Sequence, residues 1–303
     1  GAQRTDTIRV DVSNARPQVN AGPATESQEG DEVQFTGVAT DPSDDELAYC
    51  WSFGDGTPEI CEQNPTHIYA QDGVYTATLR VDDGTDEGRD TTIVTVSNVA
   101  PTIEAGEDQD ADEGALVTFV GTATDPGADT LLYSWDFGDG TPNVSGNLNV
   151  SHTFADNGVF TVTLTVEDDD TTVQDTLRVS VTNIAPIGVD AGNDETVLEG
   201  TAVQFQASAQ DPGDDVLTYT WNFGDGTEPV SQTDLTNPTH QFTDDPEGED
   251  DVYVVTLTVD DGEGGVSQDT VNITVINVAP VVSAGEDLES NEGDLVNFSG
   301  TAI

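Results

Sequence analysis

The chain has 303 residues, of which 60 are Asp or Glu and six are Lys or Arg, so its formal net charge at pH 7 is −54. All six basic residues are Arg. A charge of this sign and size argues against nucleic acid and anionic membranes as partners, because both are negatively charged. No stretch approaches the roughly 20 apolar residues of a membrane-spanning helix, so the sequence predicts no membrane span.

A module is repeated along the chain. The run Trp-x-Phe-Gly-Asp-Gly-Thr contains all three Trp residues and occurs at 51–57, 135–141 and 221–227. A second motif, Asn-x-x-Pro, recurs at 14–17, 98–101, 183–186 and 277–280. The prolines predict three whole repeats, 17–100, 101–185 and 186–279. Residues 1–16 match the C-terminal strand of a preceding repeat, residues 280–303 match the N-terminal part of a following repeat, and we expect the chain to be a segment of a longer array.

Apolar and polar residues alternate in short runs within each repeat. In the first repeat these runs are 33–39, 47–53, 75–81 and 92–96, and turns rich in Gly, Pro and Asp separate them. This pattern predicts antiparallel strands in a sandwich of two sheets, without helices. The third repeat is longer because of residues 232–251, and its acidic stretch 244–251 is predicted to be an exposed loop.

Each repeat resembles a polycystic-kidney-disease (PKD) repeat. Besides the Trp run, the resemblance rests on His-x-Tyr/Phe at 67–69, 152–154 and 240–242, and on Gly-x-Tyr-x-x-x-Leu-x-Val at 73–81. The second repeat has Phe160 in place of that Tyr, and the third has Asp251 in place of that Gly. The resemblance implies an all-β fold of tandem immunoglobulin-like, PKD-type antiparallel β-sandwiches, which we expect to form an extended rod. It also implies an extracellular or cell-surface location.

Three interpretations of the acidic charge remain open. The carboxylates form a solvated surface that prevents association, adapt the protein to high salt, or bind hard cations. Repulsion between so many like charges destabilises the compact state at low ionic strength. Either screening by salt or bound cations must therefore relieve it.

Three places in each repeat carry candidate ligands for Ca²⁺, which prefers oxygen. Asp begins and ends the loop after the second predicted strand, Asp lies between the last two strands, and Asn precedes the first Pro. In an immunoglobulin-like sandwich these places lie near one end, and the resemblance implies that calcium-binding members of the family use the same end. The predicted ligands are Asn14, Asp41, Asp45 and Asp83 for the first repeat, Asn98, Asp125, Asp129 and Asp168 for the second, and Asn183, Asp211, Asp215 and Asp261 for the third, where each Asn lies three residues before the Pro that begins the repeat. Asx turns without a metal are the alternative.

A Glu-Gly pair recurs at a fixed offset in all four copies, with Glu at 29, 113, 199 and 292. Two interpretations remain open for it. The Glu faces the loops of the next repeat and completes a site between repeats, or Glu-Gly forms a turn with a bulge and no ligand role.

Cys50 and Cys61 are the two cysteines, and both lie in the first repeat. We predict a local disulfide between them, with two free thiols as the alternative. His67, His152 and His240 occupy equivalent positions. Because a catalytic site is not normally copied into every repeat, we assign these histidines a structural hydrogen bond, and we predict no catalytic residues and no enzyme activity.

We expect a non-enzymatic structural segment of a long secreted or cell-surface repeat protein, such as a stalk, an extracellular fibre or an adhesin. We expect either that bound calcium stiffens this segment or that its acidic charge adapts it to high salt. Its expected partners are adjoining repeats and other copies of itself. The alternative is a set of accessory modules that bind carbohydrate or matrix, with surface polysaccharide or matrix as partner, on a secreted hydrolase.

Overall fold

The structure is a computed structural model that describes residues 3–43, 45–242, 250–279 and 281–302. Most of the acidic stretch that the sequence predicts as an exposed loop, residues 244–249, lies outside the described residues. Within the described ranges the regular secondary structure consists of β-strands, and there is no helix. The all-β prediction is confirmed.

Twenty-eight strands lie in the described ranges. The first repeat contains β1 (Gln18–Asn20), β2 (Thr25–Gln28), β3 (Glu32–Gln34), β4 (Val38–Thr40), β5 (Ala48–Ser52), β6 (Thr66–Ile68), β7 (Gly73–Asp82) and β8 (Glu87–Ser97). The second contains β9 (Thr102–Glu104), β10 (Gln109–Asp112), β11 (Leu116–Val120), β12 (Thr122–Thr124), β13 (Leu132–Asp136), β14 (Val144–Ser145), β15 (Asn149–Thr153), β16 (Gly158–Glu167) and β17 (Thr172–Thr182).

The third repeat contains β18 (Ile187–Asp190), β19 (Glu195–Leu198), β20 (Ala202–Gln204), β21 (Ser208–Gln210), β22 (Thr218–Asn222), β23 (Val230–Thr233), β24 (Thr239–Gln241), β25 (Asp251–Asp260) and β26 (Val266–Ile276). The last residues contain β27 (Val282–Ser283) and β28 (Thr301–Ala302), which pair with each other. Residues 3–16 form no strand, and the repeat boundaries at Pro17, Pro101 and Pro186 remain a prediction.

The chain divides into two compact units, and the division runs through the second repeat. The first unit consists of Gly1–Asp108, Thr118–Ser151 and Thr161–Arg178, and the second of Gln109–Val117, His152–Phe160 and Val179–Ile303.

In the first unit, the long antiparallel hairpin of β7 and β8 lies in a four-stranded sheet of order β2-β8-β7-β5. Strand β2 runs parallel to β8. The antiparallel pairs β1–β4 and β3–β6 supply the other layer, because their inward side chains pack in one core with those of β5, β7 and β8. The part of the second repeat in this unit pairs β9 with β12 and β13 with both β14 and β16.

In the second unit, the third repeat has the same arrangement with one additional edge strand. Its larger sheet has the order β19-β26-β25-β22-β23, with β19 parallel to β26. The pairs β18–β21 and β20–β24 form the other layer over a single core. The part of the second repeat in this unit pairs β10 with β17 in parallel. The chain is therefore built from repeated immunoglobulin-like β-sandwiches.

The tryptophan of each repeat is completely buried. In the first repeat the ring of Trp51 packs against Phe35 at 5.0 Å between centroids, and its Nε1 donates a hydrogen bond to the carbonyl of Gln63 at 3.2 Å. In the third repeat, Trp221 packs against Phe205 at 5.0 Å. Because strand side chains alternate, a Trp and a Phe two residues apart enter the core together and fix which face of the strand is buried.

The strand that carries the Trp ends in a tight Gly-Asp-Gly turn. Gly54 has φ of +83°, a conformation that residues with a Cβ rarely adopt. A Cβ at this position would lie only 2.6 Å from the carbonyl oxygen of Thr76 on β7. The turn therefore needs glycine for its backbone angle and for its close contact with the neighbouring strand.

Candidate metal centres

The Asp-Pro loop lies between β12 and β13 in the second repeat (residues 125–129) and between β21 and β22 in the third (residues 211–215). Hydrogen bonds to its first Asp fix its conformation. Oδ1 of Asp125 accepts the N–H of Gly127 at 2.7 Å, and Oδ1 of Asp211 accepts the N–H of Gly213 at 2.9 Å. These are Asx turns, so the turn-forming role considered in the sequence is present. It uses only one oxygen of each carboxylate, because Oδ2 of both aspartates is buried without a hydrogen-bond partner among the described residues.

The Asn just before each repeat contacts the Asp in the last hairpin of that repeat. The Nδ2 atoms of Asn14, Asn98 and Asn183 donate to Oδ2 of Asp83, Asp168 and Asp261 at 3.0, 3.2 and 2.9 Å. Since Asn98 and Asn183 use their amide nitrogens in this way, their carbonyl oxygens are left buried and without a hydrogen-bond partner in the described ranges. An amide oxygen of this kind is a ligand that Ca²⁺ accepts.

Asp168 is kept ionised by its neighbours. Burial raises the pKa of Asp168, but hydrogen bonds from Thr171, from the N–H of Asp170 and from Asn98 outweigh burial and bring this pKa to about 2. Hydrogen bonds from Asn183 and from backbone N–H groups lower the pKa of Asp261 in the same way, against the effect of burial. Both side chains therefore carry a full negative charge at neutral pH.

A glutamate from the preceding repeat joins each Asp loop. Glu29 lies with Asp125 and Asp129, and one carboxylate oxygen of each is within 4.8 Å of the others. Glu113 forms the same kind of cluster with Asp211 and Asp215. Two oxygens bound to one Ca²⁺ at about 2.4 Å lie at most about 4.8 Å apart, so both clusters meet the geometric limit for a shared ion.

The two glutamates are almost fully buried, at 1% exposure for Glu29 and 2% for Glu113. One oxygen of each accepts a backbone N–H of the following linker, from Val99 at 2.8 Å and from Ile184 at 2.7 Å. The other oxygen, Oε2, has no hydrogen-bond partner among the described residues. A buried carboxylate is costly unless it is paired, so each cluster has the chemistry of a site that takes a cation.

The electrostatics of the clusters lead to the same conclusion. Burial raises the pKa of Glu29, and the negative charges of Asp129 and Asp125 raise it further, although the hydrogen bond from Val99 opposes them. Burial and the charges of Asp215 and Asp211 raise the pKa of Glu113 in the same way. The negative charges of the aspartates thus lie close to a buried glutamate and repel it, and a divalent cation would remove this repulsion.

The donor set fits Ca²⁺ better than a transition metal. Each cluster offers three carboxylates, and the adjoining linker contains an Asn whose carbonyl oxygen has no hydrogen-bond partner in the described part of the chain. All of these donors are oxygens, the ligand type of Ca²⁺, whereas zinc sites in proteins are built mainly from Cys and His. These side chains would supply part of the six to eight oxygens that surround Ca²⁺.

The predicted ligands of the first repeat are arranged differently. Asn14 pairs with Asp83, but Asp41 and Asp45 lie on either side of the hydroxyl of Ser43, which is within hydrogen-bond distance of both and donates its one proton to either. Within the described ranges no third acidic side chain joins Asp41 and Asp45. Oδ2 of Asp41 is nevertheless buried and has no hydrogen-bond partner there, whereas Oδ2 of Asp45 is the oxygen that contacts Ser43.

Glu29 and Glu113 are not among the ligands that the sequence predicts. Their regular offset was the available signal, but a turn explained it as well. The structure contains that turn, since Gly30 and Gly114 have φ of +76° and +70°. The turn and the cluster coexist because the glycine forms the turn while the glutamate side chain reaches the next repeat.

Cys50 and Cys61 are joined by a disulfide with an S–S distance of 2.04 Å. Alternation places Cys50 on the outward face of β5, yet Cys50 is only 9% exposed. The segment that carries Cys61 covers it, because Ile60 and Trp51 exchange two backbone hydrogen bonds of 2.8 and 3.0 Å.

The histidines have structural contacts. Nε2 of His67 lies 2.6 Å from Oδ2 of Asp55, and the ring is stacked on Phe53 at 3.9 Å between centroids. His240 makes the same contacts with Asp225 at 2.7 Å and with Phe223 at 3.8 Å. These rings hold the Gly-Asp-Gly turn to the neighbouring strand.

Comparison with known proteins agrees with this architecture. A model described as the PKD domain matches residues 14–97, 98–182 and 183–275. Human polycystin-1 is 29% identical over 236 residues, which are 69% of this chain and 5% of polycystin-1. Collagenase ColA of Bacillus cereus is 38% identical over 81 residues, 26% of this chain and 8% of the enzyme. Chitinase A of Pseudoalteromonas piscicida is 29% identical over 136 residues, 41% of this chain and 16% of the enzyme.

The chain spans no more than 16% of the length of any of these three relatives. In the part of the chain that the structure describes, no helix has the length and apolar character needed to cross a membrane. Three consecutive matches to one family model, on a chain of repeated β-sandwiches, show that the chain belongs to the PKD domain family.

Proposed function

We propose that the chain is a non-enzymatic structural segment of a long secreted or cell-surface repeat protein, and that Ca²⁺ bound by its Asp loops orders the repeats. One observation carries the proposal. The carboxylates of Asp125 and Asp129, and those of Asp211 and Asp215, each keep one buried oxygen without a hydrogen-bond partner among the described residues. Buried polar atoms in folded proteins are rarely left in this state, and a bound cation would satisfy these oxygens.

A location outside the cell is supported by the disulfide between Cys50 and Cys61. Disulfides persist in oxidising compartments and are rare in the cytosol. It is also supported by the relatives, since a collagenase and a chitinase contain matching segments.

The structural role follows from the linkers and from the charge. Pro101 and Pro186 follow short linkers and restrict the backbone there. The net charge of −54 makes neighbouring acidic surfaces repel each other. Ions at the Asp loops reduce this repulsion where three carboxylates from two repeats meet, so binding of Ca²⁺ favours one arrangement of each linker over many.

Titration calorimetry of the whole chain with CaCl₂ tests the proposal, at an ionic strength held constant with NaCl. We expect saturable binding that Asp125→Asn/Asp211→Asn weakens by at least about tenfold, since each change removes one charged ligand. The matched control is Asp110→Asn/Glu195→Gln, which removes two exposed charges from the same two repeats and leaves affinity unchanged. Absence of saturable Ca²⁺ binding to the unaltered chain would contradict the proposal.

A second function, binding of surface polysaccharide or matrix as an accessory module, is favoured by the chitinase and collagenase relatives. The second repeat has an apolar depression whose lining includes Leu132, Tyr133 and Gly146, and Tyr133 is half-buried. An aromatic ring in such a place can stack on a sugar ring. Cosedimentation with insoluble chitin and with fibrillar collagen tests this function, and binding that Tyr133→Ala abolishes would support it.

A further inference from the structure

We propose, on the basis of the function above, that each Ca²⁺ is shared between two repeats, with Glu29 and Glu113 as direct ligands supplied by the preceding repeat. An ion bound in this way links two neighbouring repeats. Without these glutamates, the site would consist only of the Asp loop of a repeat and the Asn of the linker that leads into it.

The glutamate side chain is positioned for this role. Oε1 of Glu29 accepts the N–H of Val99 in the linker, and Oε2 lies in the cluster with Asp125 and Asp129 and has no hydrogen-bond partner among the residues that the structure describes. Glu113 repeats the arrangement with Ile184, Asp211 and Asp215. One carboxylate therefore touches the linker through one oxygen and the Asp loop of the next repeat through the other.

The backbone of each Asp loop leaves space for the glutamate side chain. A Cβ at Gly127 would lie 2.7 Å from Oε2 of Glu29, and a Cβ at Gly213 would lie 3.0 Å from Oε2 of Glu113. Both loops therefore have glycine at the position that contacts the glutamate carboxylate. The first repeat has Ser43 at the equivalent position, and among the described residues no glutamate reaches its loop.

Backbone contacts join the two repeats of each cluster independently of any ion. The N–H of Ala128 donates to the carbonyl of Ala70 at 2.7 Å, and the N–H of Asp214 donates to the carbonyl of Ala155 at 2.8 Å. A Cβ at Gly30 would lie 2.8 Å from the carbonyl oxygen of Pro126. The Glu-Gly turn of one repeat therefore lies directly on the Asp-Pro-Gly loop of the next.

A purely structural role for the glutamate makes a different prediction. Accepting the N–H of Val99 needs only one neutral oxygen, and a glutamine supplies it at the same position and size. Binding an ion needs the negative charge. Replacement of Glu by Gln therefore separates the two roles.

The experiment compares the whole unaltered chain with Glu29→Gln/Glu113→Gln and with a matched control, Glu26→Gln/Asp110→Asn. The control residues lie three positions earlier on β2 and β10 and are exposed. Calorimetry with CaCl₂ at constant ionic strength gives the affinity and number of sites. Hydrogen exchange followed by mass spectrometry gives the protection of the amides of Val99 and Ile184 with and without Ca²⁺.

We expect two tight sites in the unaltered chain and in the control. The double Gln variant binds both ions at least about tenfold more weakly and loses the Ca²⁺-dependent protection of the two linker amides. Glu113→Gln alone leaves one tight site. Near-UV circular dichroism in EDTA checks that the variants fold, and Glu29→Asp/Glu113→Asp, which keeps the charge but shortens the reach, also weakens binding.

Unchanged affinity and unchanged linker protection in the double Gln variant would overturn the sharing of the ion, while the proposed calcium-binding function would stand. Affinity in the Asp variant equal to that of the unaltered chain would overturn it as well. Absence of saturable Ca²⁺ binding to the unaltered chain would overturn both proposals.

Discussion

One aspartate organises each Gly-Asp-Gly turn. Oδ1 of Asp55 accepts the N–H and the hydroxyl of Thr57 at 3.1 and 2.6 Å, while Oδ2 contacts His67. Asp225 makes the equivalent bonds with Thr227 and His240. Burial raises the pKa of both aspartates, but the hydrogen bonds from Thr and His outweigh burial, so the pKa of each is lowered.

This lowered pKa predicts the pH dependence of an Asp55→Asn variant. Since the pKa is lower in the folded state, the charged form contributes stability that is fully present above the unfolded pKa of about 3.9 and is lost as pH falls through the folded pKa. Asp55→Asn therefore lowers the free energy of unfolding of the first repeat by about 1–2 kcal/mol at pH 7. The difference from the unaltered chain shrinks below about pH 4.

Hydrogen exchange of β5 and β7 between pH 4 and pH 7, with urea unfolding at lower pH, measures this difference. The strands β22 and β25 of the third repeat are the internal control, because they keep Asp225. A loss of stability that is the same at every pH would contradict the account of Asp55.

At the level of elements, the disulfide between Cys50 and Cys61 joins β5 to the loop that covers it, over a separation of 11 residues. Cross-linking a loop of this size restricts the unfolded chain, and Cys50→Ser/Cys61→Ser is therefore expected to lower the free energy of unfolding of the first repeat by about 2–3 kcal/mol. Local hydrogen exchange measures the change. The second and third repeats contain no Cys, so a comparable loss there would contradict a local role.

The glycine of the Asp-Pro-Gly loop gives a prediction for the element that receives the glutamate. The nearest atoms to a Cβ at Gly127 belong to the end of the Glu29 side chain and to the side chain of Asp125, not to backbone, so Gly127→Ala is expected to fold with a change of less than about 1 kcal/mol in the free energy of unfolding. It displaces the carboxylate and weakens Ca²⁺ binding at this cluster. Calorimetry should show one weakened site, with the Glu113 cluster unchanged as the internal control. Two unchanged sites would contradict the account.

Much of each element could be predicted from local sequence. Alternation of Trp51 and Phe53 identified the buried face of β5, because the period of a strand is fixed at two residues. The same rule was insufficient for Cys50, which the loop at Ile60 covers. Alternation describes the two faces of a strand but not the loops that later fold over one of them.

The candidate site could be predicted only in part. The Asp at the ends of each loop and the Asn before Pro are recognisable because oxygen-rich turns recur at fixed positions. The role of Glu29 could not be assigned, since it lies 96 positions before Asp125 in the chain and their proximity depends on how the Glu-Gly turn packs on Pro126. Periodicity within a repeat contains no information on the packing of one repeat against the next.

At the level of the whole molecule, a net charge of −54 must be balanced by salt or by bound ions. General screening by Na⁺ acts on every exposed carboxylate and depends on ionic strength. Bound Ca²⁺ acts at the two clusters, each of one buried glutamate and two half-buried aspartates, and depends on the concentration of Ca²⁺. The two explanations therefore respond differently when ionic strength is held constant.

The most direct test of the central claim is the thermal unfolding of the whole chain at constant ionic strength, in EDTA with NaCl and in millimolar CaCl₂. Ca²⁺ at about 100 times its dissociation constant adds about 2.7 kcal/mol per site to the folded state. We predict a clear rise in melting temperature that is specific to Ca²⁺ and that Glu29→Gln/Glu113→Gln largely removes. The same melting temperature in CaCl₂ and in NaCl would contradict the account and assign the acidic charge to salt tolerance.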